Sequence, residues 1–440
     1  MKYSEALKYL DSFVNYEELA SYDYKSSFKL DRMQELSGLL GNPHKDIKTI
    51  HITGTKGKGS TAAIVSSILQ SAGFKTGLYT SPHLISFRER IKIDGEEIKE
   101  GELTELIEEV KSAVDKTGRK DYTFFELYTA AAFLYFRNRK VDLAVMEVGL
   151  GGRLDATNLV EPLVACITPI SLEHTHLLGS TLEDIAMEKA AIIKKGSLCV
   201  SAPQPDAVRE IIASECKTKG VKLCEVGKDI FYEPEVSKLS FDTSYKEVFN
   251  VFGLYGEYPH MEMGLLGEHQ LVNAATAIGI IEALMSHNIV VPVESIREGL
   301  KKVKWPGRLE IVGEKPLIVL DGAQNRASAL ALKNTVKKAF KFDKLLLILG
   351  ISKDKDIPSI CRELEEIADE VILTKADIFR AAEPASLEKH ISKKKHITNS
   401  VKEAIQLGKR LSEKNDLILI TGSLYVVGEA MQYLRMTERV

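Results

Sequence analysis

The sequence predicts an α/β protein in two parts. The first is a phosphate-loop domain with a mostly parallel sheet and a small antiparallel patch, and the second is a C-terminal Rossmann-like α/β domain. Three observations carry this expectation. Short apolar runs alternate with helix-period segments along most of the chain, the pattern of a parallel sheet covered by helices. A Gly-rich turn, Gly54-Thr55-Lys56-Gly57-Lys58-Gly59-Ser60, joins one such run to one such segment. Trp305-Pro306-Gly307 then punctuates the chain, and a second alternating series follows it. The expected domains are residues 1–304 and 305–440, in keeping with roughly 150 residues per domain.

Taken in order, Met1-Lys2-Tyr3-Ser4-Glu5 opens an amphipathic helix and lacks the basic region and apolar core of a secretory signal. Buried strands are expected at Lys48–Thr53, Thr76–Thr80, Asp142–Val148, Val164–Thr168 and Leu198–Ser201, all short and apolar. Helices are expected at Thr61–Ala72, Glu102–Lys116, Glu126–Arg139, Leu182–Lys194 and Asp206–Lys219. From Ile230 to Glu268 the chain is rich in Phe, Tyr, Val and Gly without helical period, which reads as the antiparallel patch on the first domain. Helices follow at Leu271–Ser286 and Val293–Val303. Beyond the Pro-Gly break, strands are expected at Leu309–Val312, Leu317–Leu320, Leu345–Leu349, Glu370–Thr374 and Leu417–Thr421.

Composition narrows the function classes. The 59 Lys and Arg nearly balance 62 Asp and Glu, so the net charge of −3 gives no ground for nucleic-acid binding. The strongly apolar run Leu345–Leu349 is far short of the roughly 18 residues of a membrane span. Five scattered cysteines (Cys166, Cys199, Cys216, Cys224, Cys361) form no CxxC pair, so neither zinc nor a disulfide framework is expected. A cytoplasmic protein, with no nucleic-acid or membrane partner, follows as the expectation.

The Gly-rich turn has a physical reading. Glycines at 54, 57 and 59 let backbone N–H groups turn towards a polyphosphate; the helix start adds a positive dipole end and Lys58 a full charge. The strict phosphate-loop pattern puts Ser or Thr directly after the Lys, whereas here Gly59 intervenes before Ser60. Asp142–Val148 delivers Glu147 near the end of an apolar strand, where phosphate-loop enzymes place a magnesium-facing carboxylate.

The loop, followed by Thr80-Ser81-Pro82-His83-Leu84, resembles the folylpolyglutamate synthase and dihydrofolate synthase branch of the Mur ligases. The resemblance continues through Phe87–Ile91, Glu147–Asn158 and Glu173-His174. It reaches Pro306-Gly307-Arg308, Asp321-Gly322-Ala323 and Gly422-Ser423-Leu424-Tyr425, so it covers nearly the whole chain in order.

That resemblance implies an ATP-dependent ligase. It would add L-glutamate to dihydropteroate, to reduced folates or to both, through an acyl phosphate. It implies ATP and two magnesium ions as cofactors, admits a potassium ion, and leans towards a monomer. Gly57, Lys58, Gly59, Ser60, Asn273, Arg308 and Asp321 are the implied ATP contacts, and Ser81, Glu147 and His174 the implied metal set. Lys58, Lys189 and His174 are the implied catalytic residues, Lys189 as a carbamate, because a partly buried amine with a lowered pKa reacts with carbon dioxide. Thr123, Phe124, Phe125, Glu126, Leu154, Asp155 and Ala156 resemble the pterin-contacting segments; rings can stack on a flat pterin and a carboxylate can pair with its amino edge. For Glu126 a helix-start role competes, and for Phe124 and Phe125 an ordinary core role does.

Glutamate binding is expected in the C-terminal domain, where Gly350–Asp356, Arg380–Pro384 and Gly422–Tyr425 all lie near strand ends. Three residues depart from the family pattern: Lys56 where Asn is frequent, Glu173 where Asp is usual, and Gln324 where His is common. Gln hydrogen-bonds but carries no proton at neutral pH. The alternatives are a polyglutamate synthase without dihydropteroate activity, a cell-wall Mur ligase, and a non-catalytic nucleotide-binding relative.

Overall fold

The computed structural model describes residues 1–437 other than 18, 20, 21, 23 and 236–246. The chain packs as two units. One contains Met1–Glu235, Val248–Met263 and Gln270–Val303; the other contains Gly264–His269 and the chain from Lys304.

The first unit is built on eight strands: β1 Thr49–Thr53, β2 Thr76–Tyr79, β3 Ile91–Ile93, β4 Glu96–Glu97, β5 Leu143–Glu147, β6 Val164–Ile167, β7 Leu198–Ser201 and β8 Leu223–Glu225. Their order is β4-β3-β2-β5-β1-β6-β7-β8. All neighbours from β2 to β8 run parallel, and only the β2-β3-β4 edge is antiparallel. Every residue of β1 and β5 is buried, as expected for strands covered on both faces.

Register separates the faces. His51, Met146, Ala165 and Cys199 lie in one row across the sheet. Met146 packs with helices Glu100–Thr117 and Phe124–Asn138, and Ala165 and Cys199 with Leu182–Ala190 and Asp206–Lys219. On the opposite face, helices Lys58–Ser71 and Val293–Lys302 touch backbone to backbone: a Cβ on Gly299 would lie 2.4 Å from Ile68 Cα.

The antiparallel patch is present as β9 Phe231–Pro234, β10 Glu247–Phe252 and β11 Glu257–Met263, in the order β11-β10-β9. The expected stretch overlaps 236–246, which lies outside the described residues. Glu282 pins its turn, accepting bonds from the N–H of Leu254, Tyr255 and Gly256 and from Tyr258 Oη.

The second unit carries β12 Glu310–Glu314, β13 Leu317–Leu320, β14 Leu345–Leu349, β15 Glu370–Leu373, β16 Lys394–Ile397 and β17 Leu417–Thr421. The order is β12-β13-β17-β14-β15-β16, parallel except for β12, which pairs antiparallel with a bulge between Ile311 and Gly313. Leu345–Leu349 is buried throughout at its centre, flanked by β15 and β17.

Several elements depart from expectation, among them the short edge strands β3 and β4 and the helix Leu30–Leu39, for which no element is expected. β8 and β16 were not expected: the first is three residues long, and the second reads Lys-Lys-His-Ile, too polar for a buried run. The helix expected over Leu182–Lys194 ends at Ala190. Ile192 and Ile193 are both fully buried, and their N–H groups bond three residues back rather than four, so the chain tightens and turns before β7.

Candidate active site

The site of the first unit gathers at the carboxyl ends of β1, β5 and β6, the edge that open α/β sheets offer to ligands. Gly54, with φ 147°, leaves β1 so tightly against β6 that a Cβ there would lie 1.9 Å from Thr168 Oγ1 and 2.8 Å from its carbonyl oxygen. Gly57, left-handed at φ 84°, precedes helix Lys58–Ser71. A Cβ on it would meet Asn273 Oδ1 at 2.3 Å, so the loop and Asn273 touch directly. Asn273 is itself oriented by donating from Nδ2 to Gln270 Oε1 at 2.8 Å. The first N–H groups of such a helix have no acceptor within it and are available to an anion.

Two lysines converge on one carbonyl. Lys58 Nζ donates to Gly54 O at 3.2 Å and Lys189 Nζ donates to the same oxygen at 2.8 Å. Lys189 comes from a point 135 residues further along, on helix Leu182–Ala190, and is buried. Burial, reinforced by the charge of Lys58, pulls its ammonium down to about 7. Lys58 and Lys189 line a small cavity of about 30 Å³ with Gly54, Thr55, Val148–Gly151, Glu173 and His174. Lys56 Nζ meets Glu173 Oε1 at 2.6 Å, and although burial pushes upward, Lys56 holds the Glu173 carboxyl below its ordinary range.

Glu147 closes β5, buried, immediately before the cavity-lining Val148 and Gly149. Its Oε2 accepts from the Ser81 N–H at 3.0 Å, which places the loop after β2 at the end of β5. Among the described residues no three His, Cys, Asp or Glu side chains gather into a metal cage. The Ser81 hydroxyl and the Glu147 carboxylate are hard oxygen donors, a set that suits a magnesium ion sharing its remaining positions with phosphate oxygens and water. His174 lies in the cavity with the two lysines.

The expected pterin segments are brought to the same edge, with their polar groups engaged. Thr123 caps helix Phe124–Asn138: its Oγ1 accepts from Glu126 N at 3.2 Å, while Glu126 Oε2 accepts from Thr123 N at 2.8 Å. Glu126 Oε1 also receives the buried Arg32 at 2.8 Å, and burial raises its carboxyl. Phe124 is buried among Arg90, Phe87 and Tyr128. Phe125 is half-buried and lies on Gly149, where a Cβ would be 2.6 Å from its Cζ.

Asp155 is fully buried and accepts from Leu150 N, Thr157 N and Thr157 Oγ1, pinning the Gly149–Gly152 turn. Leu154 and Ala156 flank it, half-buried and buried.

Some partnerships here carry no signal in the sequence. His51, fully buried in β1, meets Thr157 Oγ1 at 2.8 Å, and burial lowers its imidazole to about 3. Arg90 reaches Glu17 through two nitrogens, at 2.9 and 2.5 Å, and donates to His83 Nδ1. The pairings of His51 with Thr157 and of Arg90 with Glu17 span 106 and 73 residues, so no local motif marks them.

In the second unit, Arg308 lies against Gly322, where a Cβ would come 2.4 Å from its Nη1. Asp321, at the end of β13, accepts from Leu309 N at 3.0 Å and Ala323 N at 2.9 Å. Gln324 begins the turn into helix Arg326–Ala339, its N–H donating to Ser328 Oγ. The three strand-end segments singled out for glutamate come together: Lys353 N donates to Arg380 O, Ala382 N donates to Ile351 O, and Gly422 approaches Gly350 O.

Comparison with known proteins agrees with this architecture. Residues 52–281 match the Mur ligase middle domain, and residues 307–424 the glutamate ligase domain of Mur ligases. The chain is 38% identical to the dihydrofolate synthase/folylpolyglutamate synthase of Bacillus subtilis, over 92% of this chain and 95% of that protein. It is 33% identical to the folylpolyglutamate synthase of Lacticaseibacillus casei, over 99% of each.

Among solved structures it resembles E. coli FolC in complex with DHPP and ADP, with a TM-score of 0.87, 29% identity and coverage of 100% and 99% of the two chains. It likewise resembles Mycobacterium tuberculosis folylpolyglutamate synthase complexed with ADP and AMPPCP, with a TM-score of 0.85, 31% identity and coverage of 93% and 96%. The chain therefore belongs to the dihydrofolate synthase/folylpolyglutamate synthase family of the Mur ligases and is an ATP-dependent ligase.

Proposed function

We propose that the protein joins L-glutamate to dihydropteroate and to reduced folates through an acyl phosphate. The observation that carries the nucleotide part is the convergence of Lys58 and Lys189 on Gly54 O at a helix start. The Lys58 ammonium group and the helix N–H groups of Gly57, Lys58, Gly59 and Ser60 would hold a polyphosphate there. Lys58 then screens the charge that spreads over the transferring phosphoryl group. Ser81 and Glu147 would hold a magnesium ion, with His174 as a further contact; when bound, the ion supplies charge neutralisation at the phosphate oxygens.

The acceptor carboxylate attacks the terminal phosphorus of ATP, ADP departs, and the acyl phosphate forms. The glutamate amine attacks the acyl carbon, a tetrahedral intermediate forms and phosphate leaves. Activation is required because a free carboxylate resists nucleophiles. Lys189 supports this reading in a specific way: an amine brought to about 7 is half neutral at physiological pH, and it can add carbon dioxide and lose a proton to become a carboxylate.

Asn273, Arg308 and Asp321 are assigned to the nucleotide, and the strand-end segments at Gly350, Arg380 and Gly422 to glutamate. For the pterin, the face of Phe125 against Gly149 and the Leu154–Ala156 turn form the wall we assign; the likeness to the DHPP complex of E. coli FolC supports it. We further read the protein as a cytoplasmic monomer. Among the described residues no helix is long and apolar enough to cross a membrane, and all five cysteines are free.

The test is phosphate release with ATP, magnesium and glutamate, offering dihydropteroate and tetrahydrofolate separately and weighing the products. A glutamate added to each acceptor supports the bifunctional reading. Addition to tetrahydrofolate alone reduces the enzyme to a polyglutamate synthase. Release with neither overturns the folate assignment.

A further inference from the structure

We propose that Asp321 is a positioning residue, which sets Arg308 at the carboxyl end of β13 by gripping the backbone directly after it. The proposal rests on the reading of Arg308 as a nucleotide-binding residue. It has Asp321, assigned to the same nucleotide, act on it through Arg308.

Arg308 lies in the turn before β12, and that turn is stitched to the end of β13 on both of its flanks. Before Arg308, Gly307 O accepts from Gly322 N at 2.9 Å. After it, Leu309 N donates to Asp321 Oδ2 at 3.0 Å. The other oxygen of the same carboxylate, Oδ1, accepts from Ala323 N at 2.9 Å. Asp321 therefore binds two backbone N–H groups, one on each segment, and Arg308 is the residue between the two stitches. The turn is also closed on itself, because Gly307 N donates to Glu310 Oε2 at 2.8 Å.

The carboxylate acts on an uncommon backbone conformation. Leu309 sits at φ 45°, in the left-handed region that non-glycine residues seldom occupy and that persists where the surroundings determine it. Its side chain is buried in the core cluster of the second unit with Val319 and Ala323. Core packing thus holds the side chain of Leu309, and Asp321 holds its N–H. The chain turns here so that β12 can run back along β13, with Glu310 opposite Leu320. Arg308 is left at the strand end, with its guanidinium on Gly322, where a Cβ would come 2.4 Å from Nη1. Gly322 directly follows Asp321, so the grip and the resting place of the guanidinium are neighbours. The charges feel one another: burial raises the Asp321 carboxyl, and Arg308 opposes that rise.

The rival role is direct contact. The groups of ATP that can donate to a carboxylate are the ribose hydroxyls and the adenine amine, and a directly bound Asp321 would accept from one of them. The two roles differ in what Asp321 still contributes once Arg308 is gone. A residue acting through Arg308 has nothing further to lose, whereas a direct contact loses its own factor again.

The experiment measures kcat and KM for ATP on the full-length protein as wild type, Asp321→Asn, Arg308→Met and the double variant, with the melting temperature of each. The series is repeated with 2′-deoxy-ATP, 3′-deoxy-ATP and inosine triphosphate. Arg308→Met is expected to lower kcat/KM about 10²-fold and Asp321→Asn about tenfold. The double variant is expected within about twofold of Arg308→Met alone, and Asp321→Asn to cost the same factor with every nucleotide. A double variant about tenfold below Arg308→Met overturns the proposal, whether its melting temperature holds, as for a direct contact, or falls, as for a residue that only supports the fold. A nucleotide with which Asp321→Asn costs nothing also overturns it and names the group that Asp321 touches. Undiminished activity of Asp321→Asn with ATP overturns it as well. Undiminished activity of Arg308→Met is a separate result: it removes the nucleotide reading of Arg308, and the proposal with it.

Discussion

The phosphate loop and the wall assigned to the pterin share one sheet edge but spend their polar side chains differently. In the loop, Lys58 and Lys189 both donate to one carbonyl, and Lys58 has charge to offer a ligand. In the wall, Glu126 is committed to Thr123 N and Arg32, and Asp155 to Leu150 and Thr157. What the wall presents is ring face and backbone, through Phe125 and the turn at Gly149. The contrast teaches that one half is organised to bind charge and the other to bind shape. Carboxylates in the second half act chiefly by holding that shape.

The largest expected effect breaks the charged half. Lys58→Ala should lower kcat for phosphate release about 10²–10³-fold, the scale of losing one preorganised electrostatic group, without changing the melting temperature. A loss below tenfold would remove Lys58 from phosphoryl transfer.

Lys189→Met comes next, at about 10²-fold in turnover. Carbon-dioxide-free buffer should depress wild-type activity, and mass spectrometry should find the carbon dioxide adduct on Lys189. The pH dependence of stability gives a second reading. The folded-state pKa of about 7 lies below the ordinary 10.5, so between these values the unfolded chain binds more protons than the folded one. The contribution of this residue to stability therefore rises from about pH 7 to 10.5, and Lys189→Met should flatten that rise in a melting series.

Phe125→Ala sharpens the shape side. It should raise KM for the pterin acceptor about tenfold, the equivalent of losing one stacked ring, and leave KM for ATP in place. The smallest kinetic effect is expected of Glu126→Gln. It takes from the buried Arg32 its nearer charge partner and leaves Asp121 at 3.6 Å, so stability should fall by about 1–3 kcal/mol by denaturant titration, while acceptor KM moves less than twofold. If Glu126→Gln instead raises acceptor KM as much as Phe125→Ala does, the wall binds by charge after all and the contrast fails.

Legibility in the sequence followed distance along the chain. Gly54, Gly57 and Lys58 were readable because their demands are local: a tight exit from a strand, a left-handed cap and a charged first turn within five residues. Glu126 was readable as a rival for two roles, because a helix-start carboxylate and an acidic pterin contact use the same residue type, whereas the capping by Thr123 came only with the structure. The helix end at Ala190 was not readable, since Lys189–Ile193 keeps an unbroken helical pattern and only the burial of Ile192 and Ile193 turns it. β16 was hidden by its polar composition, and the pairings of Arg32 with Glu126 and His51 with Thr157 by separations of 94 and 106 residues.

The sequence by itself determined the alternating α/β pattern, the phosphate loop and the ordered motifs that mark a ligase. Those properties follow from period, turn chemistry and short-range geometry. Only the tertiary structure decided that Lys189 meets Gly54, that Glu173 meets Lys56, and that Asp155 turns inward to hold a loop. The physical reason is that the charge state and partners of a side chain depend on burial and on neighbours brought from elsewhere in the chain. Lys189 lies in an ordinary helical stretch and acquires its lowered pKa only where the fold removes water and adds Lys58 beside it.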